Sequence, residues 1–140
     1  MTTPVYKNGP GQCCCGCNGF NPANCNIGYT VTISGLTGNC ANANVAVPVS
    51  WIGSPTNEWY GQYFPGFGNV TATIVCTGNV WIVTVAIFDV PDTGGGFING
   101  TYTGQLANTE CPSGTCTGVS GSASATSPTT TCGTPVITVA

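Results

Sequence analysis

The stretch Val70–Phe88, VTATIVCTGNVWIVTVAIF, decides the fold class. From Val70 to Cys76 apolar residues alternate with threonine, which is the period of a half-buried strand. Thr77-Gly78-Asn79 follows, and three loop residues that include Gly and Asn predict a hairpin with a left-handed residue and a bulge. The return strand is apolar on both faces, a pattern typical of a strand at the centre of a sandwich or under an intersubunit contact.

Shorter segments on both sides of the hairpin show similar patterns. Pro48 lies within one of them and predicts an edge strand or a bulged strand there. With turn residues at the spacing typical of sandwiches, the sequence predicts about eight short strands in one all-β domain over residues 28–140, a β-sandwich or jelly roll. The further candidate strands are Gly28–Gly35, Val45–Trp51, Gly100–Leu106, Thr117–Ala123 and Pro135–Val139.

The composition agrees with an all-β domain and excludes several function classes. Charged residues make up 4% of the 140 residues, whereas Thr alone contributes 22. Lys7 is the only basic residue and there is no His, so the chain cannot neutralise a row of phosphates or supply an imidazole base. We therefore expect no nucleic-acid partner and no His-dependent catalysis. No apolar run is long enough to span a bilayer as a helix, so no membrane partner is expected either.

Residues 1–27 are rich in Cys, Gly and Asn and show no apolar period. They are predicted to form an extended arm that cannot fold alone. The first ten residues have no apolar segment of the kind that signal peptides carry, which predicts synthesis in a cytoplasm. Ten cysteines fit poorly with that compartment, because disulfides persist in oxidising surroundings. Three alternatives remain open: a reduced metal-binding chain, a secreted fragment, or a protein released into an oxidising exterior, as a virion is at lysis.

Structural disulfides are the favoured interpretation of the cysteines. The spacing of Cys14 with Cys17 and of Cys111 with Cys116 also suits a four-thiolate zinc site, but four other cysteines are scattered singly, which favours cross-linking. We expect the N-terminal cluster to reach distant partners, and Cys111 with Cys116 to be the one candidate for a local loop. No cofactor and no metal is predicted. The disulfide candidates are Cys13, Cys14, Cys15, Cys17, Cys25, Cys40, Cys76, Cys111, Cys116 and Cys132.

The four carboxylates give little support for catalysis. A glycosidase needs only two, but some pairing among Glu58, Asp89, Asp92 and Glu110 is unremarkable, so no enzyme is predicted. Asp89 and Asp92 lie before three glycines, where a calcium site is weighed against simple turn formation, and turn formation is favoured. Two N-glycosylation acceptor patterns, at Asn69 and Asn99, are easily matched by chance in a chain this rich in Asn and Thr.

The segment 58–67, EWYGQYFPGF, holds five aromatic residues. If exposed, they offer flat apolar faces to a sugar or a protein partner; the alternative is that they pack into the core and close one end of the domain. The sequence favours neither interpretation over the other. The contact candidates are Trp59, Tyr60, Tyr63, Phe64 and Phe67.

The strand Tyr29–Gly38 leading to Cys40, the hairpin at Cys76 with Trp81, and Cys132 before a last strand resemble the small Cys-rich β-proteins of tailed bacteriophage virions. The resemblance covers residues 28–140 and includes no diagnostic residue. It implies a capsid decoration (cement) protein or a tail or fibre component, located in the virion and made in the host cytoplasm.

A decoration protein needs apolar contact area and edge strands but no catalytic residue. The expected partners are a major capsid or tail protein and further copies of the chain in a homo-oligomer, with a glycan as an additional candidate. Deleting residues 1–27 is expected to leave a folded domain that no longer binds its particle. The alternatives are a carbohydrate-binding or adhesion module of a fibre or secreted protein, and an extracellular filament subunit.

Overall fold

A computed structural model describes Cys17 and residues 28–53, 57–108 and 111–140. Within these residues the chain is almost entirely β, as predicted, with nine strands and one short 3-10 helix over Gly38–Ala43. The strands are β1 (Gly28–Ser34), β2 (Ala46–Gly53), β3 (Glu58–Tyr63), β4 (Asn69–Thr77), β5 (Val80–Pro91), β6 (Phe97–Leu106), β7 (Gly114–Thr126), β8 (Thr129–Thr131) and β9 (Val136–Val139).

The β4–β5 hairpin has the predicted position and a tighter turn. Thr77 pairs directly with Val80, so the loop has two residues rather than three. Gly78 and Asn79 both have positive φ, at 58° and 69°, as a two-residue type I′ turn requires. The predicted three-residue loop with a bulge is therefore wrong, because both central residues tolerate the left-handed region and the strands can stay paired up to the turn.

The sheet closes on itself, so the predicted sandwich is replaced by an eight-stranded barrel. Strands β1 to β6 follow one another as antiparallel neighbours, β6 pairs with β7, β7 pairs with β9, and β9 returns to β1. β8 lies outside this ring as a short hairpin on β7 and is the only described strand with a single neighbour. Alternating apolar residues suit a sandwich and a barrel equally, and the long-range pairing that closes the ring has no local signal in the sequence.

Pro48 lies where a proline is tolerated within a closed sheet. It pairs with Thr30 of β1, whereas the pairing of β2 with β3 begins only at Ser50. At Pro48 the edge of β2 that faces β3 has no paired residue, so the missing N–H of proline costs no hydrogen bond there. The pairing of β2 with β3 is irregular between Trp51 and Gly53. The predicted edge or bulged strand is thus a bulged strand within a barrel.

Inward-facing side chains fill the barrel. An eight-stranded barrel is just wide enough for its interior to be occupied by side chains. The largest side chains that are fully buried are Trp59, Trp81, Tyr102, Ile33, Ile74, Ile98, Leu106 and Ile137. The loops and outer surface are therefore the parts of the described chain that can meet a partner.

Candidate functional site

Alternating strand directions give the barrel two distinct ends. At one end lie the β4–β5 turn, the end of β2, the start of β3, the end of β6 and the start of β7. We call this the arm end, because Cys17 of the N-terminal segment is bonded there to Cys76. The other end carries the segments 63–69, 91–97 and 126–129, and we call it the aromatic end.

Trp59 lies inside the barrel, so the prediction that it contacts a sugar or a protein partner is wrong. Its side chain is fully buried. The ring packs edge-on against Tyr29 and Trp81, with centroid distances of 5.7 and 5.5 Å. Alternation along β3 explains this, since Trp59 points inward while Tyr60 points outward.

The other four candidates are exposed: Tyr60 to 38%, Tyr63 to 46%, Phe64 to 57% and Phe67 to 84%. The aromatic segment thus divides between core and surface: Trp59 packs into the core, and the contact of the four exposed rings with a sugar or a protein stays a prediction. Tyr60 lies on the barrel wall, whereas the other three lie at the aromatic end.

Phe88 and Phe97 also contribute to the aromatic end, and the sequence did not single them out. Phe88 is 60% exposed and Phe97 is 42% exposed, and the ring of Phe97 lies 6.5 Å from that of Phe67. The signal for Phe88 was the strand with two apolar faces, for which an intersubunit contact was one explanation. We call these five residues the aromatic collar: Tyr63, Phe64, Phe67, Phe88 and Phe97.

A groove of about 330 Å³ lies beside the collar. Asn42, Pro65, Gly66 and Pro91 line it. The amide of Asn42 donates a hydrogen bond of 3.0 Å to the carbonyl of Pro91, which ties the 3-10 helix to the end of β5. Gly66 and Phe67 are adjacent in the chain, so the most exposed aromatic ring among the described residues lies at the margin of the groove.

Asp92 fastens the loop between β5 and β6. Its Oδ1 accepts hydrogen bonds from the N–H groups of Gly94 and Gly96, at 2.8 and 2.7 Å. Its Oδ2 accepts from Thr126 and Ser127, at 3.2 and 3.0 Å. Burial by itself would raise the pKa of this carboxyl, but the four donors hold the pKa below its usual value. The carboxylate therefore remains ionised at neutral pH through hydrogen bonds from backbone N–H groups.

Asn39 adds a second set of ties in the same place. Its Nδ2 donates to the carbonyl of Ser127 at 2.7 Å, and its Oδ1 accepts from the hydroxyl of Thr93 at 2.9 Å. Gly94 lies against the carbonyl of Ser127 so closely that a Cβ at this position would overlap the oxygen. Hydrogen bonds and close packing thus hold the loop that precedes Phe97.

This geometry leaves Asp92 no free oxygen for calcium. Asp89 is also engaged, since its Oδ1 accepts from the amide of Asn99 at 3.1 Å. Glu58 lies at the opposite end of the barrel, and Glu110 lies outside the described residues. Within the described part of the chain, no group of three or more His, Cys, Asp or Glu residues could hold a metal ion.

Among the described cysteines two disulfides are formed, Cys17–Cys76 and Cys40–Cys132, each with a Cα–Cα distance of 5.4 Å. Cys116 carries a free thiol, so the local loop with Cys111 is not formed. Cys17 is oxidised and cannot be a thiolate ligand, which removes the four-thiolate zinc site. The remaining candidates, Cys13, Cys14, Cys15 and Cys25, lie outside the described residues.

Cys17 belongs to the barrel rather than to a free arm. The residue is fully buried, and its carbonyl accepts a hydrogen bond of 3.3 Å from the amide of Asn57. The predicted boundary between arm and domain at residue 27 therefore leaves out one anchoring residue. Apart from Cys17, the predicted arm lies outside the described residues.

Both glycosylation patterns fall on paired strands, with Asn69 opposite Phe88 in the sheet and the amide of Asn99 bonded to Asp89. In the described segments, no helix is both long and apolar enough to cross a membrane.

The fold and the site define the class only as a closed, side-chain-filled antiparallel barrel with exposed aromatic side chains at one end. Comparison of the chain with protein-family models, with curated proteins and with solved structures returns no match.

Proposed function

We propose that this chain is a non-enzymatic structural protein of a virion, a capsid decoration protein that strengthens the particle from outside. The observation that supports this most directly is the placement of two attachment features at opposite ends of one rigid barrel. The aromatic collar lies at one end, and Cys17 fixes the N-terminal segment at the other. A protein built in this way can join two surfaces without any chemistry of its own.

The barrel itself supports a structural role. Its interior is occupied by large buried side chains rather than by a ligand-binding cavity. Of the described carboxylates, Asp92 is saturated by backbone donors and Asp89 is paired with Asn99. On the described surface, the exposed aromatic rings are therefore the groups best suited to bind a partner.

The N-terminal segment is the part that we assign to the particle. Sixteen residues precede Cys17, and a fully extended chain of that length reaches about 50 Å. Such a segment can order along a major capsid or tail protein as it docks. Disulfides closed after lysis would keep its attachment point fixed outside the cell.

The test compares the full chain with a deletion of residues 1–16, which keeps Cys17 and its bond to Cys76. Particles released by the cells that produce the chain are pelleted, washed and labelled with gold-coupled antibody against the barrel. We expect label on the particles, restoration of the label when purified full chain is added to stripped particles, and no restoration by the deletion variant. Thermal unfolding of the variant controls for folding. Unlabelled particles, or equal binding by the variant, would contradict the proposal.

A carbohydrate-binding module is the second candidate, and the exposure of Tyr63, Phe64 and Phe67 favours it. Rings of this kind stack on sugar faces. A glycan array probed with the full chain tests it, with Phe67→Ala as the binding variant and Tyr60→Ala as the control on the barrel wall. Binding that Phe67→Ala abolishes would replace the virion proposal.

The filament subunit has less support. In a closed barrel each strand already has two partners, and β8 alone among the described strands has an open edge. With three residues, β8 offers a short template for a strand from another subunit.

A further inference from the structure

The aromatic end contains a protruding ring and a recess of matching character side by side. Phe67 is 84% exposed, which is extreme for an aromatic side chain in a folded domain. The recess is the groove of about 330 Å³ lined by Asn42, Pro65, Gly66 and Pro91. A two-fold axis between two such surfaces places each ring opposite the other copy's groove, as an isologous interface requires.

We propose that the aromatic collar is the contact surface of a homodimer, in which Phe67 of each copy inserts into the groove of the other. Pro65 and Pro91 give the recess apolar walls, and Gly66 adds no side chain that would fill it. The remaining collar rings surround the inserted one and exclude water from it.

The area of the collar suits a dimer. Aromatic side chains bury roughly 150–250 Å² each, so the exposed fractions of the five collar residues amount to roughly 600 Å² on each copy. Two copies together can then bury up to about 1,200 Å² of collar surface, which reaches the lower limit of a standard stable interface. A much smaller apolar surface would fit only a transient encounter.

Electrostatics also allow two identical surfaces to meet. The collar and the groove lining contain no charged side chain. The nearest acids, Asp89 and Asp92, accept hydrogen bonds from within their own chain. The inserted ring and the groove lining therefore bring no like charges together, and they demand no opposite charge of a different partner.

The loop that precedes Phe97 is held in place before association. Asp92 fastens it by four hydrogen bonds, and Asn39 by two more, from the hydroxyl of Thr93 to the Asn39 side chain and, at 3.2 Å, from the N–H of Thr93 to the Asn39 carbonyl. Because this loop is ordered already, dimer formation loses little conformational entropy there. If the proposed function also holds, the two N-terminal segments would leave from opposite ends of the dimer and could reach two sites on a particle.

The experiment is sedimentation equilibrium of the full chain over a wide concentration range, with Phe67→Ser as the test variant. Tyr60→Ser is the matched control, because it removes an exposed aromatic ring from the barrel wall. We expect a reversible dimer for the wild type and for Tyr60→Ser, and a dimer dissociation constant raised about tenfold or more by Phe67→Ser. Equal thermal unfolding midpoints for dilute Phe67→Ser and dilute wild type will show that the variant folds.

Three results would overturn the proposal: a wild type that remains monomeric at the highest concentration, a Phe67→Ser dimer as stable as the wild type, or a dimer that a non-reducing gel shows to be covalent. Particle binding separates this inference from the proposed function. A monomeric Phe67→Ser variant that still labels particles supports both, whereas a dimeric wild type that labels none retains the dimer and rejects the virion role.

Discussion

Trp59 and Phe67 are eight residues apart in one aromatic segment and have opposite environments. Trp59 is fully buried against Tyr29 and Trp81, and Phe67 is 84% exposed. The difference shows that residue type does not decide which aromatic residues stabilise this chain and which ones bind. Position on β3 buries the first, and the loop beyond β3, packed against Pro91, exposes the second.

The largest expected effect comes from breaking the interior side of this comparison. Trp59→Ala removes a ring from a filled barrel and leaves a cavity, which should lower the free energy of unfolding by about 3–5 kcal/mol. Phe67→Ala in the dilute monomer should change it by no more than about 0.5 kcal/mol. Urea unfolding followed by tryptophan fluorescence measures the first against the second. Similar losses for both variants would mean that the collar is part of the core.

The sequence predicted the strands well because their signals are local. Alternation from Val70 to Cys76 and the Gly78-Asn79 turn depend on neighbouring residues only. The closure of the barrel could not be predicted in this way, because β9 at the end of the chain pairs with β1, as in Val31 with Val139, and this long-range pairing leaves no mark on either segment.

The contact surface was predictable only in part. Both faces of β5 are apolar, so periodicity could not tell that Phe88 points outward. Phe97 gave no signal because its exposure depends on the loop that Asp92 fastens. The turn-forming role expected of Asp92 fits the four hydrogen bonds, but their convergence from two distant segments needed the structure.

The next effect tests whether the collar depends on the covalent link beneath it. Cys40–Cys132 joins the 3-10 helix to the segment after β8 and closes a separation of 92 residues. Replacing both cysteines with alanine should cost about 2–4 kcal/mol, since the unfolded chain regains the freedom that the bond removed. Denaturation with guanidinium chloride provides the measurement.

The matched control for that variant is Cys17→Ala with Cys76→Ala, which opens a separation of 59 residues at the arm end. We expect a comparable loss of stability from it and unchanged dimer formation. Loss of the dimer in the control and not in the test variant would mean that the aromatic end does not form the contact.

A smaller effect, dependent on pH, belongs to Asp92. Its pKa in the folded state lies below the ordinary value of 3.8, so its contribution to stability is complete above that value and is lost as the pH falls through the folded-state pKa. Asp92→Asn should lower the unfolding midpoint at pH 7, because an amide cannot accept from all four donors. The gap between the two proteins should narrow in acid.

Thermal unfolding of both proteins from pH 7 to pH 2 measures this. Asp89→Asn is the control, since the Asp89 carboxylate accepts a hydrogen bond from the side chain of Asn99 rather than from four backbone N–H groups. A difference in unfolding midpoint that stays constant over this range would show that the ionised form of Asp92 contributes nothing to fastening the loop between β5 and β6.

The smallest expected effect is a modification that should not occur in the folded protein. The thiol of Cys116 is buried on the inside of β7, and burial raises its pKa to about 11. At pH 8 only about one thiol in a thousand is then ionised, and alkylation requires the thiolate. Iodoacetamide should leave Cys116 unmodified in the native chain and modify it fully in guanidinium chloride, as peptide mass mapping can show.

Because Trp59→Ala opens a cavity in the same interior, that variant should speed the native reaction, whereas Phe67→Ala should not. Rapid modification of Cys116 in the wild type would mean that the barrel opens readily, and the contrast between a closed interior and an exposed collar would then be lost.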